Sequence, residues 1–297
     1  MKVSCLMPCY NVDVTLEYAI KAIIDSPMCD ELILCEGGWN PTKEIRSTDK
    51  TIEIIEKFSS NPKVKSLTWW PQSPNDYEWK CEAHKNRLFA HNKVNGHPFY
   101  DGPSLTQQML CRDTMLDMAT GDWIFLVDAD EIHAPESLMR LRKLINSGIT
   151  YDLLTLKARV FYFDFWNYAD ERFRRIFRKK EGCYFSDDNS IDVNGESYDN
   201  NKFDVPEEFD YYFHYAYIGK ERVNKKLDMW NAEDAERWKK IVWEEKSMGK
   251  IMMNNYGGVH LFAHKNMGYA GYKLKKFSGL HPEIIRNHPD YFEKRFK

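Results

Sequence analysis

The sequence lacks several features that would assign it to a specialised class of protein. No apolar run approaches the 18 or more residues of a membrane-spanning helix. The formal net charge is −3 at pH 7, whereas a general nucleic-acid-binding protein needs a basic surface. The seven cysteines are odd in number and include no Cys-x-x-Cys pair, so neither a disulfide framework nor a zinc site is predicted. We therefore expect a soluble protein of a reducing, cytoplasmic compartment with no nucleic-acid partner.

The most informative stretch that is present spans residues 121–131. Residues 123–127 are continuously apolar, which is typical of a strand buried on both faces of a parallel sheet. Asp128 and Asp130 follow two residues apart, so in extended backbone their carboxylates would point to the same side. Carboxylate oxygens favour Mg²⁺ or Mn²⁺, and open α/β sheets bind ligands at the carboxyl ends of their strands. The pattern predicts a metal–phosphate site, and the alternative is that Asp130 or Glu131 lies at the start of the following helix.

Apolar spacing along the first 70 residues alternates between the strand period and the helix period. Strands are predicted at 2–8, 31–35 and 64–69, and helices at 12–26 and 51–58. This β-α-β-α-β order predicts an α/β fold in which helices flank both faces of a mostly parallel central sheet.

The periodicity disappears between Pro71 and Pro103, where Trp, Tyr, His, Asn and Pro are frequent. Such a long insertion is more often functional or disordered than a packing element, and its aromatic content favours an ordered loop or lid. Regular patterns then resume, with helices predicted at 105–118, 135–145 and 220–248 and strand-like runs at 152–164, 173–178 and 209–218.

Several short motifs occur in order on this frame. They are Met7-Pro8-Cys9-Tyr10-Asn11, Glu36, Ser47-Thr48-Asp49-Lys50-Thr51, Arg112-Asp113, Ala119-Thr120-Gly121-Asp122 and the Asp-x-Asp motif Asp128-Ala129-Asp130-Glu131. On these motifs the first half of the chain resembles the nucleotide-sugar-dependent glycosyltransferases of the GT-A fold, of the family-2 type. The resemblance implies a hexosyltransferase-type enzyme of glycan biosynthesis. Such an enzyme moves a sugar from a nucleoside diphosphate sugar to an acceptor hydroxyl, with inversion.

The resemblance also implies roles for individual residues. A Mn²⁺ or Mg²⁺ ion on Asp130 would bridge both donor phosphates, while Asp128 would reach the ribose or a metal-bound water. Arg112 would pair with a phosphate, although an ion pair with Asp113 or Asp117 on the same helix is an alternative. Contacts to the base and ribose are implied for residues at the ends of the first two strands, namely Pro8, Tyr10, Asn11 and Glu36.

Two further roles need residues from later in the chain. A metal site of two aspartates is usually completed by a third protein ligand, for which we expect His214; a hydrogen-bonded, half-buried histidine is the alternative. An inverting transferase also needs a carboxylate base. Asp187 and Asp188 are the first candidates, and Glu171 and Asp192 are the next. The pair Asp187 and Asp188 could equally form a turn.

Three other histidines stand out by their spacing or sequence context. His260 and His264 are spaced as a helical zinc pair, but Gly257-Gly258 argues against a helix there. The downstream pattern of the resembled family implies that His281-Pro282 closes the core.

We predict a catalytic domain at 1–218 and a helical, basic extension at 219–297. Within the catalytic domain, 1–131 would bind the nucleotide sugar and 132–218 the acceptor, with the irregular insertion at 71–104. From residue 265 onward there are eight Lys/Arg and three Asp/Glu, which fits a peripheral membrane contact or a solvated helical face. The acceptor would be a glycan, a lipid-linked molecule or a protein, bound through aromatic side chains.

Two other functions are compatible with the same sheet and paired aspartates. A nucleotidyltransferase usually has a Gly-rich, basic loop after the first strand, and Pro8-Cys9-Tyr10-Asn11 contains neither glycine nor lysine. A non-catalytic protein that binds nucleotides or glycans is the other alternative, because the catalytic base has no clear signature.

Overall fold

The computed structural model describes residues 1–38, 45–70, 78–91, 102–186, 190–218 and 275–286. The chain forms two compact units. The first unit contains Met1–Val94, Gly102–Lys157 and Arg172–Tyr212, and the second contains Asn95–Asp101, Ala158–Glu171 and Phe213–Lys297. The predicted division into 1–218 and 219–297 stays a prediction, because residues 219–274 lie outside the described ranges.

The first unit begins with the predicted alternation of strands and helices. Its elements are β1 (Val3–Cys9), α1 (Asp13–Ile24), β2 (Glu31–Glu36), α2 (Thr51–Phe58) and β3 (Val64–Thr68). β1 pairs in parallel with β2, and β2 pairs in parallel with β3. Every residue of β1 and β2 is buried, which is why both read as continuous apolar runs.

Helix α1 shows why the helical predictions in this region succeed. Its buried positions Leu16, Ala19, Ile20 and Ile23 recur at helical spacing and form one apolar face. The helix packs against β2 through that face. The predicted α/β fold, with helices flanking a mostly parallel central sheet, is confirmed.

The segment after β3 departs from the predicted irregular insertion. Residues 82–91 form helix α3 (Glu82–His91), so the prediction of an insertion without regular structure is wrong there. Helix α4 (Gly102–Met118) starts three residues before the predicted helix and packs against β1 and β2. Strand β4 (Trp123–Leu126) then pairs in parallel with β1, with Val3 opposite Trp123 and Leu6 opposite Leu126.

The remaining elements include several that the sequence patterns did not predict. They are β5 (Glu131–His133), α5 (Pro135–Asn146), β6 (Leu153–Phe163), β7 (Asn167–Arg178), β8 (Cys183–Phe185), β9 (Ile191–Val193), β10 (Glu196–Ser197), β11 (Lys202–Asp204), β12 (Tyr211–Ile218), β13 (Lys275–Lys276) and α6 (Glu283–Arg286). The main sheet has the order β3-β2-β1-β4-β7-β6-β12-β5, and β8, β9 and β10 form a separate antiparallel sheet. β7 pairs antiparallel with β4.

The second unit has an aromatic core of its own. Phe161, Phe213, Tyr215 and Phe277 surround His281, whose ring centroid lies 4.5 Å from that of Phe277 and 4.8 Å from that of Phe161. The structural role expected for His281-Pro282 is therefore confirmed, since His281 is buried in this core. The charged helix expected at 220–248 and the pair His260/His264 lie outside the described residues. None of the helices within the described ranges combines the length and the apolar character needed to cross a bilayer.

Candidate functional site

The paired aspartates lie in a turn at the carboxyl end of β4. The backbone amide of Val127 donates to Leu6 O at 2.9 Å, which extends the pairing with β1 by one residue. The chain then turns: Glu131 N–H donates to Asp128 O at 2.9 Å, and Asp128 N–H donates to the Glu131 carboxylate at 3.1 Å. We call residues 128–131 the acidic turn.

Asp128 and Asp130 lie close together as the sequence predicted, but the predicted reason, extended backbone, is wrong. Asp128 and Asp130 do not share a face through extended backbone, because residues 129 and 130 are in a turn. The turn itself brings them together, and a carboxylate oxygen of Asp128 lies within 4.8 Å of one of Asp130. The alternative role at a helix start is wrong, because Glu131 opens β5 and α5 begins at Pro135 after an Ala134 cap.

The two aspartates present hard oxygen ligands from a sheltered position. Asp130 is 5% exposed, and the Asp128 side chain is 25% exposed. Two carboxylates held this close repel each other unless positive charge lies near them. Their spacing and chemistry fit a divalent cation such as Mg²⁺ or Mn²⁺.

Two buried arginines bond to Asp128 from different elements. Arg112 on α4 donates from Nη2 to Asp128 Oδ1 at 3.3 Å. Arg175 on β7 donates from Nη2 to Asp128 Oδ2 at 2.8 Å and to Glu131 Oε1 at 2.5 Å. Arg175 also donates from Nε to the Tyr212 hydroxyl at 3.2 Å. The carboxylates of Glu131 and Asp128 hold the pKa of Arg175 well above its usual range against the opposing effect of burial, so its guanidinium stays charged.

Arg112 is buried but incompletely hydrogen-bonded. Its side chain is 2% exposed, and its Nε and Nη1 have no hydrogen-bond partner among the described residues. A buried donor without a partner costs on the order of 1–3 kcal/mol, and more when it is charged. The guanidinium therefore has two unused donors beside the acidic turn, and such donors suit an anionic ligand such as a phosphate.

The alternative ion pairs that the sequence allowed for Arg112 are not the ones observed. Asp113 pairs with His84, at 3.0 Å between Oδ2 and Nε2, and accepts from the backbone amide of Phe185 at 2.9 Å. Asp117 pairs with Lys80. The acid that Arg112 contacts is Asp128, sixteen residues away in sequence.

The residues expected to contact the donor's base and ribose lie at the ends of β1 and β2. Cys9 pairs with Glu36, so both strands finish at the same edge of the sheet. Pro8 is buried within β1. Asn11 has a positive φ of 49°, which an Asn side chain tolerates, and its Oδ1 accepts from the backbone amide of Thr48 at 2.9 Å.

Both oxygens of the Glu36 carboxylate contact neighbouring residues of the chain. Oε1 accepts from the backbone amide of Ser47 at 2.7 Å, and Oε2 lies 2.6 Å from Arg46 Nε. Glu36 is 3% exposed, so it fastens the loop that carries Ser47 and Thr48. Ser47 Oγ in turn accepts from the Asn11 backbone amide at 3.0 Å, which ties this loop to the end of β1.

The other sequence candidates come from later parts of the chain. His214 is buried on β12, in the second unit. Asp192 is 1% exposed on β9, and Glu171 lies on β7. Asp187 and Asp188 lie outside the described residues.

No protein-family model and no curated protein matches the chain. Among solved structures, S. aureus TarS 1-349 matches with a TM-score of 0.42 at 16% identity, over 76% of this chain and 63% of that one. TarS 1-349 in complex with UDP-GlcNAc gives a TM-score of 0.43 at 17% identity, over 76% and 64%. Glucosyl-3-phosphoglycerate synthase from Mycobacterium tuberculosis in complex with Mn2+ and UDP-Glc gives 0.30 at 22% identity, over 54% and 43%.

The chain thus spans less than two thirds of the length of each of these matched structures. The TM-scores and identities of these matches are low, so they establish no function for this chain.

Proposed function

We propose that the chain is a metal-dependent glycosyltransferase of the GT-A, family-2-like type. It transfers a sugar from a nucleoside diphosphate sugar to an acceptor hydroxyl, with inversion. The observation that carries the proposal is the pairing of a buried, under-bonded Arg112 with the two clustered aspartates at the end of β4. That pairing offers donors for phosphate oxygens and hard ligands for a cation at one edge of a parallel sheet.

Asp130 is the proposed direct ligand of Mn²⁺ or Mg²⁺, and His214 is proposed as a further ligand. Asp128 is proposed to hold a metal-bound water or the donor ribose, because two arginines already share its carboxylate. His214 follows Tyr212 by two residues on β12, so its side chain leaves the same face of the strand. Tyr212 itself contacts Arg175. When bound, the divalent ion supplies Lewis-acid stabilisation of the charge that accumulates on the diphosphate.

Side chains of the protein are proposed to bind the phosphates and the nucleoside of the donor. Arg112 binds a phosphate oxygen with its unused donors and keeps its charge throughout, because a guanidinium does not lose its proton in proteins. The nucleoside lies over the ends of β1 and β2, next to the donor phosphates, because β1 lies between β2 and β4. The residues proposed to contact or shape this nucleoside site are Pro8, Tyr10, Asn11 and Glu36, the last by fastening the Ser47–Thr48 loop.

The acceptor hydroxyl must lose a proton as it attacks the sugar. We propose Asp187 or Asp188 as the base, on the ground that an inverting transfer needs one carboxylate opposite the leaving group. The acceptor would be a glycan, a lipid-linked molecule or a protein.

The proposal is tested by thermal shift and donor turnover. UDP and GDP are each tested with and without Mn²⁺, and UDP-sugars and GDP-sugars are then assayed for release of the nucleoside diphosphate. We expect one nucleotide to raise the melting temperature only with Mn²⁺, and the matching donor to be hydrolysed. Asp130→Asn should reduce turnover by at least about a hundredfold, as loss of a key charge-stabilising group does.

Asp117→Asn is the matched control, because Asp117 lies on α4 with its side chain 57% exposed. It should keep wild-type turnover. Binding without turnover of any donor would favour the non-catalytic alternative, and formation of a nucleotide sugar from a nucleoside triphosphate would favour the nucleotidyltransferase. Unchanged turnover in Asp130→Asn would refute the metal role.

A further inference from the structure

We infer that the base of the donor is guanine, and that Arg46 and Trp70, which lie beside the ends of β2 and β3, recognise it. The inference rests on the proposed function, because it names the base of the nucleoside diphosphate sugar that the proposed transferase uses. The proposed function itself leaves the choice between a uracil and a guanine nucleotide open.

The strands β1, β2 and β3 end at one edge of the sheet. Glu36 lies opposite Thr68 in the register of β2 and β3, and the backbone amide of Trp69 donates to Glu36 O at 2.6 Å. Trp70 follows directly after that bond. Because β1 lies between β2 and β4, a nucleotide with its phosphates beside the acidic turn and its ribose over β1 extends its base toward the ends of β2 and β3.

Glu36 is not available to accept a hydrogen bond from a base at this edge. Its Oε1 accepts from the Ser47 amide at 2.7 Å, and its Oε2 lies 2.6 Å from Arg46 Nε. The N3–H of uracil needs an acceptor, and Glu36 could supply one only by giving up one of these buried contacts. The acid at the end of β2 therefore does not favour uracil.

Arg46 and Trp70 are the exposed groups beside this buried acid. The guanidinium carbon of Arg46 lies 5.9 Å from the centroid of the Trp70 ring, within the range of a cation–π contact. The ion pair with Glu36 holds the guanidinium on its other side. The Arg46 side chain is 36% exposed and Trp70 is 55% exposed, so both planar groups are accessible to a ligand. An exposed indole is a surface on which a nucleobase stacks.

The hydrogen-bonding groups described at this edge are donors. A guanidinium donates and never accepts, and the buried indole N–H of Trp69 has no hydrogen-bond partner among the described residues. Guanine offers two adjacent acceptors, O6 and N7, to which an arginine donates in bidentate fashion. In uracil the N3–H separates the two carbonyl oxygens, in adenine a donor lies beside N7, and in cytosine the acceptor pair includes O2, next to the bond to the ribose. Guanine therefore fits Arg46 best.

The first test uses the wild-type protein. Isothermal titration calorimetry with Mn²⁺ present measures its affinities for GDP, UDP, CDP and ADP. We expect GDP to bind at least about tenfold more tightly than the other three, which is the discrimination that a bidentate contact provides. The analogue 7-deaza-GDP lacks the N7 acceptor and should bind about fivefold more weakly than GDP. These comparisons need no variant, so they do not depend on the folding of a substituted protein.

Two variants assign the preference to the named side chains. Arg46→Met/Glu36→Gln removes one positive and one negative charge together, and Gln keeps an oxygen for the Ser47 amide. In this variant GDP should bind about tenfold more weakly than in the wild type, and GDP and 7-deaza-GDP should bind equally well. Trp70→Leu should weaken GDP binding about tenfold through loss of the stacking surface.

Arg142→Met/Asp30→Asn is the matched control for the double variant. Arg142 Nη1 lies 2.7 Å from Asp30 Oδ2, which also accepts from the Val3 amide at 2.8 Å. The control thus removes an ion pair whose acid also accepts from a backbone amide, at the start of β1 rather than at its end. It should leave the affinity for every nucleotide unchanged.

The outcomes separate this inference from the proposed function. The inference alone is overturned if UDP, CDP or ADP binds as tightly as GDP, if 7-deaza-GDP matches GDP in the wild type, or if the Arg46 double variant keeps the preference for GDP. In each of these cases a nucleotide still binds. Absence of binding by all four nucleotides, with or without Mn²⁺, overturns the proposed function as well.

Discussion

The incomplete bonding of Arg112 predicts that this residue serves ligand binding rather than stability. Arg112→Met removes a buried charge with two unpartnered donors, and Asp128 keeps its bond to Arg175. We expect the melting temperature to be unchanged or raised, because the desolvation cost of the guanidinium disappears. Turnover of the donor should fall by about a hundredfold or more, because the proposed contact between Arg112 and a donor phosphate is lost.

Two further variants, Arg112→Lys and Arg142→Met, serve as controls for that experiment. Lysine keeps the charge but not the planar fork, so it should recover only part of the activity. Arg142 pairs with Asp30, away from the acidic turn, and its replacement should leave turnover unchanged. A loss of several degrees in the melting temperature of Arg112→Met would show that Arg112 is instead a structural residue.

At the residue level the sequence located the acids but not their partners. Asp128 and Asp130 follow an apolar run, and that local signal predicted their place at a sheet edge. Arg175 gives no such signal, because Phe173-Arg174-Arg175-Ile176-Phe177-Arg178 contains three arginines and only one of them is 1% exposed. Which arginine faces inward depends on the register of β7 against β4, and sequence spacing alone does not provide that register.

Among the elements, α4 depends on a buried aspartate–histidine pair that the sequence did not assign. Asp113 and His84 are both fully buried, and His84 stacks on Tyr184 with ring centroids 4.2 Å apart. The pair joins α4 to α3, and the bond from the Phe185 amide to Asp113 joins α4 to β8. Burial raises the pKa of Asp113, and the interaction with His84 opposes that rise by favouring the charged form of the carboxyl.

Removing one side of this pair should destabilise the protein strongly. For Asp113→Ala we expect a loss of about 3–5 kcal/mol in the free energy of unfolding, because His84 and the Phe185 amide would lose their buried acceptor. Urea unfolding followed by circular dichroism measures the loss. Asp117→Asn, four residues further along α4 and largely exposed, should change stability by less than about 0.5 kcal/mol. Equal effects of the two changes would contradict this role for the Asp113–His84 pair.

The elements that sequence patterns predicted are the long ones with a complete apolar period. α1, α2, β1 and β2 were found within a few residues of their observed limits. The elements that escaped prediction are two- or three-residue strands such as β5, β9 and β10, which are too short to display alternation. Helix α3 escaped because most of its residues are charged or polar and they carry no clear apolar stripe.

At the scale of the whole molecule, the division into units was not accessible from composition. The predicted boundary follows residue 218, where a charged segment begins. That boundary stays a prediction, and the two compact units each contain part of β6, β7 and β12. Composition shows where the kinds of residue change along the chain, whereas the units arise from contacts between residues far apart in sequence.

The second unit makes the stability of the protein depend on pH through His281. Burial lowers the pKa of His281 from its usual 6.5 to about 4, while Nε2 lies 2.6 Å from the Phe165 carbonyl oxygen and Nδ1 lies 2.8 Å from the Tyr215 hydroxyl. The unfolded chain therefore binds a proton at His281 between pH 6.5 and 4 that the folded chain does not bind. This contribution to stability is fully present above the unfolded pKa and is lost as the pH falls toward 4.

His281→Gln isolates this contribution, because the carboxylates that also titrate in this range are common to both proteins. Between pH 7 and pH 5, the wild type should lose about 2 kcal/mol more unfolding free energy than the variant, since one pKa unit corresponds to about 1.4 kcal/mol. Urea unfolding at pH 7, 6 and 5 provides the comparison. Parallel pH profiles for the two proteins would mean that His281 is accessible to protons in the folded state, contrary to its burial among Phe161, Phe165 and Phe277.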